Sequence, residues 1–424
     1  MLAIAFALYT RNVIFSLFSG TLLGLLIIHN FALLTTLEAT YELFLTLLTT
    51  PWILKTLGFV LLCGSVIAVI EKSGGVGGFI NFALHQKAFI RSPRSALMVS
   101  YILGVVIFIE TSITALVSGA VGKPLCDKYK IPHAKLAYVC DSTSAPIGSL
   151  LIFNGYGALL LGLITTQMSG ASFDVNALEL LVSSVLFNFY AMSALVLTFF
   201  YIWFNFDIGP MKNLVYKRSQ SYVETEAKSM YLMILPIALM LILMFVYLYI
   251  TGDGDILKGS GSSSILYTML SVLGFTLVYY TSTKSMSFST WTVTSFSGAK
   301  KLFSVTMILI FAFSIGKVTT EMKTGLYLAS LASENLDVIF LAGAIFLLSS
   351  AISFSTGTSW GTFSIMIPIA MPMALAMDAN VALAIGAVIS GGIFGDHCSP
   401  ISDTTIISSM AADCEVVEHV KTQL

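Results

Sequence analysis

Two polar clusters interrupt an oily chain and repeat one another in outline. The first is Asp141-Ser142-Thr143-Ser144-Ala145-Pro146-Ile147. The second is Asp396-His397-Cys398-Ser399-Pro400-Ile401, followed by Ser402-Asp403-Thr404-Thr405. A Thr-Ser pair precedes each cluster, Thr111-Ser112 in the first half and Thr358-Ser359 in the second, and Pro124 or Pro372 follows that pair. Carboxylates, hydroxyls and freed backbone carbonyls are the oxygen ligands that Na+ takes, and prolines free carbonyls by interrupting helices. An ionised carboxylate in hydrocarbon costs about 2.5–3.5 kcal/mol on insertion scales, so it needs a cation, a proton, a base or water. Few Lys or Arg lie in apolar sequence near Asp141, Asp396 or Asp403. The expected partner is therefore a mobile cation or a proton. A carboxylate that holds Na+ or H+, but never both, couples the two fluxes by competition.

The elements that must position these groups are membrane helices. Hydrophobic residues make up 57% of the 424 and charged residues 10%, against about 25% charge in a soluble domain. The mean hydropathy is +0.91. The apolar stretches run to about 20 residues, the length of a spanning helix, and the alternation of barrel strands is absent. The chain reads as an all-α polytopic membrane protein of about ten to twelve segments, counting re-entrant ones. A net charge of −1 gives no reason to invoke nucleic acid. Five cysteines without a CxxC pair argue against a disulfide framework or a zinc site. The apolar start has no basic region ahead of it, so no cleavable leader is read there. No resident cofactor is expected; the partners are membrane lipid, transported Na+ and H+, and a small organic solute in the alternative below.

The spans read as roughly 52–70, 95–121, 136–153, 155–168, 178–205, 231–250, 265–281, 302–315, 338–354, a long run to 377, and 381–393. Three are broken by polar residues: at Asp141–Pro146, at Gly357–Gly361 around Thr358, and at Pro400. Glu110 falls within the 95–121 span. Lys and Arg concentrate at 123–135 and 209–229, which places both loops in the cytoplasm, with the acidic Gly/Ser-rich stretch 252–264 outside. That stretch divides the chain into an N-terminal transmembrane repeat (1–251), a polar linker (252–264) and a C-terminal repeat (265–424). Broken helices are tolerated in a bilayer only where protein buries them or they line a cavity. Transporters set them at the midplane between inverted repeats. On this reading Na+ sits at Asp141 and Asp396, with Ser142, Thr143, Ser144, Thr358, Ser359 and Ser399 as oxygen ligands. Glu110, Asp403 and His397 are the candidates for proton coupling. Single Ser and Thr residues in membrane helices often only bond the preceding turn, and His397 could equally be a satisfied interface histidine.

These residues resemble a known family. Gly395-Asp396-His397-Cys398-Ser399-Pro400-Ile401-Ser402-Asp403-Thr404-Thr405 is similar to the signature of the NhaC-type Na+/H+ antiporters. Thr356-Gly357-Thr358-Ser359-Trp360-Gly361-Thr362 and Leu136-Ala137-Tyr138-Val139-Cys140-Asp141-Ser142-Thr143-Ser144-Ala145-Pro146 look like two further family motifs. Thr10-Arg11-Asn12-Val13 and the final His419–Leu424 also fit. The resemblance implies two inverted repeats, a scaffold part and a transport part, a homodimer, and secondary active exchange of Na+ for H+. Relatives that carry organic acids or amino acids make a Na+- or H+-coupled transporter of a small carboxylate or amino acid the alternative. Phe108-Ile109-Glu110-Thr111 stands where many relatives have two consecutive aspartates, so one negative charge is lost here. Relatives usually continue past Thr422-Gln423-Leu424 with further apolar sequence, so the resemblance implies either a short member or one without its final span. An intramembrane aspartyl protease would need Asp141 and Asp396 to share a proton across a cleft. The duplicated Ser/Thr/Pro context favours ion ligation, so the expected function is transport across the inner membrane, not enzymatic catalysis.

Overall fold

The computed structural model describes residues 6, 9–10, 12–75, 77–78, 82, 92–108, 111–152, 154–168, 176–216, 228–256, 259–323, 327, 330 and 337–424. Glu110, Arg11 and much of the Gly-rich, basic 71–94 stretch lie outside the described residues. The described residues are helical or looped, without strands. The helices, in order, are α1 (Val13–Ile28), α2 (Leu33–Thr49), α3 (Pro51–Lys72), α4 (Pro93–Val106), α5 (Thr111–Tyr129), α6 (His133–Leu150), α7 (Gly155–Met168), α8 (Ala177–Val185) and α9 (Phe189–Phe204). After a short 3-10 turn (Gly209–Asn213) come α10 (Tyr231–Thr251), α11 (Gly261–Ser282), α12 (Phe288–Lys301), α13 (Phe303–Glu321), α14 (Val338–Thr356), α15 (Ser359–Ala376), α16 (Val381–Cys398), α17 (Asp403–Ala412) and α18 (Val416–Gln423). Among the described residues eight helices are long and apolar enough to cross a membrane, or nine if the bent pair α6–α7 counts as one span. The chain is a multi-pass membrane protein.

The helices gather into two bodies. In one, α3 packs on α11 and α12, α10 on α11, and α13 on α1. In the other, α4, α5, α9, α17 and α18 pack on α6, which carries Asp141, and α8, α14 and α15 pack on α16, which carries Asp396. α7 lies between them, touching α3, α11 and α13 on one side and α8 and α15 on the other, and α13 also packs directly on α15. Each body draws on both halves of the chain. The stretch expected as a linker is short and tied down. Residues 261–264 are the first turn of α11, and the Thr251 and Ser264 hydroxyls lie 2.9 Å apart.

Small residues allow the close approach that builds the second body, as membrane helices without a hydrophobic driving force require. Gly391 and Gly395 lie one turn apart on α16 and face α14; a Cβ added at Gly395 would sit 2.7 Å from the Ser353 Cβ. Ser353 Oγ donates to the Gly392 carbonyl at 2.6 Å across this contact.

Breaks interrupt both halves of the chain. α14 ends on Gly357 in the left-handed region (φ 66°), and α15 restarts at Ser359. A side chain would be strained at that φ, and a Cβ there would also meet the Ile401 carbonyl at 2.7 Å, in the break between α16 and α17. Ser399 Oγ ties the same two breaks by donating to the Phe354 carbonyl at 2.8 Å. In the first half the Asn154 amide spans the corresponding gap, donating to Phe108 O at 3.2 Å and to Gly148 O at 2.7 Å. Pro124 and Pro372 each lie thirteen residues after the start of their helix, and the next helix begins nine residues later in both cases. The two following helices, α6 and α16, are each 18 residues long.

One expected break is displaced. α6 runs helically through the Asp141–Pro146 cluster, and the chain opens only at Leu151–Asn154, where α6 and α7 meet at 41°. Pro146 removes one N–H, but the packing around an almost wholly buried α6 keeps the helix going. The acids are therefore placed differently. Asp141 is the ninth residue of α6, whereas Asp396 is the sixteenth of α16, two residues from the break.

Candidate functional site

Asp141 is fully buried at the centre of α6. Its carboxylate is met by side chains from three other helices. Thr405 Oγ1 of α17 donates to Oδ2 at 3.2 Å, and Ser408 Oγ, one turn further along α17, donates to Oδ1 at 3.4 Å. Two imidazoles close the cluster: His397 Nε2 of α16 lies 3.9 Å from Oδ1, and His419 Nε2 of α18 lies 3.6 Å from Oδ2. All three side chains are shut off from solvent. His397 Nδ1 is 3.0 Å from the Tyr190 hydroxyl, while its Nε2 has no hydrogen bond within normal range. His419 Nδ1 lies 2.8 Å from Ser409 Oγ, and its Nε2 lies 3.3 Å from Gln423 Oε1.

Asp396 occupies a different cage, built of hydroxyls alone. Ser402 Oγ donates to Oδ1 at 2.8 Å, and Ser359 Oγ donates to Oδ2 at 3.2 Å. Ser359 opens α15 and Ser402 precedes α17, so the two breaks that meet at Gly357 and Ile401 present these hydroxyls to the acid. Behind Ser359 stands Tyr156 of α7, its hydroxyl 2.8 Å from Ser359 Oγ. While it contacts Asp141, the Thr405 hydroxyl also faces the end of α16, where the backbone carbonyls of Asp396 and His397 lie 3.5 Å away. Among the described residues neither acid is ion-paired with Lys or Arg.

The other expected ligands face elsewhere. Thr143 Oγ1 back-bonds to the Val139 and Cys140 carbonyls, and Ser144 Oγ donates to Asp141's own carbonyl at 3.2 Å. Ser142 Oγ accepts from Gln423 Nε2 at 3.1 Å. Ser399 is spent on Phe354, and Thr358 is the half-buried residue that precedes α15, its carbonyl accepting from Thr362. Asp403 begins α17 on an exposed face, where its Oδ1 accepts from the Thr404 N–H. Glu110 is outside the described residues. Of the hydroxyls singled out from sequence, Ser359 is the one set against a carboxylate. Ser402 and Thr405 stood in the second cluster, and His419 and Gln423 in the family-like C-terminal segment, without an assigned role; Ser408, Tyr156 and Tyr190 were not singled out. Thr405, Ser408, Ser409 and Ala412 do follow helical spacing, a signal that one face of α17 is small and polar. His419 was marked only by the family-like C-terminal segment.

A cavity of about 40 Å³ opens beside the second cage, between the two bodies. Phe59 and Cys63 of α3, Phe108 and Thr111 at one break, Asn154 at another, and Tyr156 and Trp360 line it. Tyr156 and Trp360 pack ring on ring with centroids 5.0 Å apart. At one end of the bundle Lys135 pairs with Asp207 at 2.7 Å and Tyr216 bonds Asp127, and Lys123 pairs with Asp413, at the end of α17, at 3.2 Å.

Residues 154–424, which carry the Asp396 cage and every partner of Asp141, match the model of the Na+/H+ antiporter family. The chain belongs to that family. An uncharacterized protein of Haemophilus influenzae is 32% identical over 449 residues, which cover 100% of this chain and 86% of that one. A second H. influenzae protein, described as an uncharacterized Na+/H+ antiporter, is 45% identical over 73 residues, 17% of this chain and 16% of its own length. The crystal structure of the YdaH transporter of Alcanivorax borkumensis shares the fold, with a TM-score of 0.62 over 91% of this chain and 85% of that one at 14% identity. This antiporter-family member is thus a membrane transporter rather than an enzyme.

Proposed function

We propose that this transporter exchanges Na+ for H+ across the cytoplasmic membrane, with the cation at Asp396 and the proton at Asp141. The observation that carries the reading is the pair of fully buried carboxylates, held by hydroxyls and histidines with no Lys or Arg partner among the described residues. A hydroxyl has one hydrogen and two lone pairs. Ser359 and Ser402 now point their hydrogens at Asp396; turned about, they offer lone pairs to a cation seated on the same carboxylate. The adjoining breaks supply further carbonyl oxygens.

The Asp141 cage suits a proton. Ser409 Oγ donates to the Thr405 carbonyl at 2.7 Å, so it is an acceptor towards His419 Nδ1. Gln423 spends its N–H on Ser142 and turns Oε1 to His419 Nε2. Both ring nitrogens therefore face oxygen acceptors, an arrangement that a ring with two N–H groups beside ionised Asp141 satisfies. Transfer of one of those protons to Asp141 gives the neutral pair. The Thr405 hydroxyl supports coupling, because it touches one acid's carboxylate and faces the other's backbone carbonyl. The N-terminal and C-terminal halves act as inverted repeats in this reading, and alternating access moves the second body against the first. The proton gradient drives exchange, each net charge moved being worth about 2.3 kcal/mol per 100 mV.

The test is proton-gradient dissipation in sealed vesicles with a pH-sensitive dye, adding Na+, Li+ or K+ in turn. Na+-dependent dissipation, abolished by Asp141→Asn and by Asp396→Asn, is expected. Folded, inserted protein that gives no response to any of the three cations would sink the reading.

A further inference from the structure

Ser359 has two side-chain partners among the described residues, and they lie on opposite sides of it: Asp396 at 3.2 Å and the Tyr156 hydroxyl at 2.8 Å. Its single hydrogen goes to Asp396 in the arrangement seen, so Tyr156 donates to Ser359. A cation on Asp396 reverses the first of these bonds. The Ser359 oxygen must then turn a lone pair to the cation, and its hydrogen needs another acceptor. Tyr156 is the group in place to accept it.

That reversal makes Tyr156 turn its own hydrogen away. Its ring lines the cavity between the two bodies, which at about 40 Å³ exceeds the roughly 10–15 Å³ that one water needs. Tyr156 belongs to α7, the helix that touches α3, α11 and α13 of the first body and α15 of the second. A hydrogen-bond chain thus runs from the cation carboxylate, through one serine, to the surface along which the bodies must slide.

We propose that Tyr156 is a positioning residue that reports cation occupancy of Asp396 to the interface between the two bodies, by reversing the direction of its hydrogen bond with Ser359. This rests on the reading of Asp396 as the cation carboxylate. Removing the tyrosine hydroxyl strands the serine hydrogen in the occupied state and leaves the empty state able to keep its bond to Asp396. Na+ affinity therefore falls while the fold persists.

Equilibrium 22Na+ binding to purified protein, with thermal unfolding measured alongside, tests this without requiring transport. Tyr156→Phe is expected to weaken Na+ binding about tenfold, the consequence of one buried hydroxyl left without a partner. Trp360→Phe, which alters the packing against Tyr156 but not the hydroxyl chain, is expected to stay within about twofold. The Ser359→Ala/Tyr156→Phe double variant is expected to bind no more weakly than Ser359→Ala alone, because the tyrosine acts through the serine. Additive losses in the double variant, or Tyr156→Phe binding like the unchanged protein, would overturn the proposal. Equal binding by Asp396→Asn and the unchanged protein would instead overturn the assignment of the cation to Asp396.

Discussion

His419 Nε2 stands 3.6 Å from Asp141 Oδ2, both side chains fully buried. The short helix α18 carries the histidine and packs on α6, where Gln423 also bonds Ser142, the neighbour of Asp141. α18 therefore contributes directly to the acid's surroundings, although it is too short to span a membrane. His419→Ala removes a group that can share a proton with Asp141 and leaves the Asp396 cage untouched. Na+-driven proton movement is expected to fall about tenfold, while Na+ affinity stays within about twofold. Equal losses in both measurements would show that the histidine only supports the fold.

The Asp396 cage makes a sharper distinction among three serines. Ser402→Ala and Ser359→Ala each remove a hydrogen bond to a buried carboxylate, a contact worth about 1.5–3 kcal/mol. Each is expected to weaken Na+ binding by about tenfold or more. Ser399→Ala removes a bond to the Phe354 carbonyl instead and is expected to change Na+ affinity by no more than about twofold, with a loss of stability of about 1 kcal/mol. A Na+ titration across the three variants decides this. The ranking is wrong if Ser399→Ala is the weakest binder.

Helix spacing in the second body depends on Gly395. Its missing side chain faces the Ser350 carbonyl and the Ser353 Cβ, and backbone cannot move aside as a flexible side chain can. Gly395→Val is expected to destabilise by about 2–4 kcal/mol through overpacking, read as a lowered unfolding midpoint in detergent. Gly357→Ala is expected to cost about 1–2 kcal/mol from its left-handed backbone, with more added by the Ile401 carbonyl. An unchanged midpoint for Gly395→Val would mean that α14 and α16 are not held this close.

The Lys135–Asp207 and Tyr216–Asp127 contacts put residues 127–135 and 207–216 at one end of the bundle. α10, of 21 residues, then carries the chain to the other end before Asp253. Single substitutions Lys130→Cys and Lys212→Cys, all at exposed positions, are expected to react with a membrane-impermeant maleimide from the same side, and Asp253→Cys from the opposite side. Of the native cysteines, four are buried and Cys414 is the half-buried one that sets the background. Labelling of Lys130→Cys and Lys212→Cys from opposite faces would reject this topology.

Much of the fold was legible. The scarcity of charge and the length of the apolar runs dictated membrane helices. Gly357 marked a real break, because a left-handed residue acts locally, and Pro400 lies in the break between α16 and α17. Pro146, like Pro124, Pro236, Pro368 and Pro372, lies inside a continuous helix. Its effect depends on what surrounds the helix, and α6 is packed tightly enough to continue through it. The two Asp-x-x-Ser-type clusters also look more alike in sequence than they are in space, since Asp141 lies mid-helix and Asp396 at a helix end.

The sequence by itself determined that this chain lives in a membrane, that its helices are interrupted, and that Asp141 and Asp396 are buried carboxylates in need of compensation. Those follow from solvation cost and backbone covalent structure, which belong to individual residues. Only the tertiary structure decided which groups provide the compensation. Thr405 and Ser408 reach Asp141 from 264 and 267 residues away, and Ser359 reaches Asp396 across 37. Hydrogen bonds act over about 3 Å, so pairing is fixed by how helices dock and not by how residues follow one another along the chain.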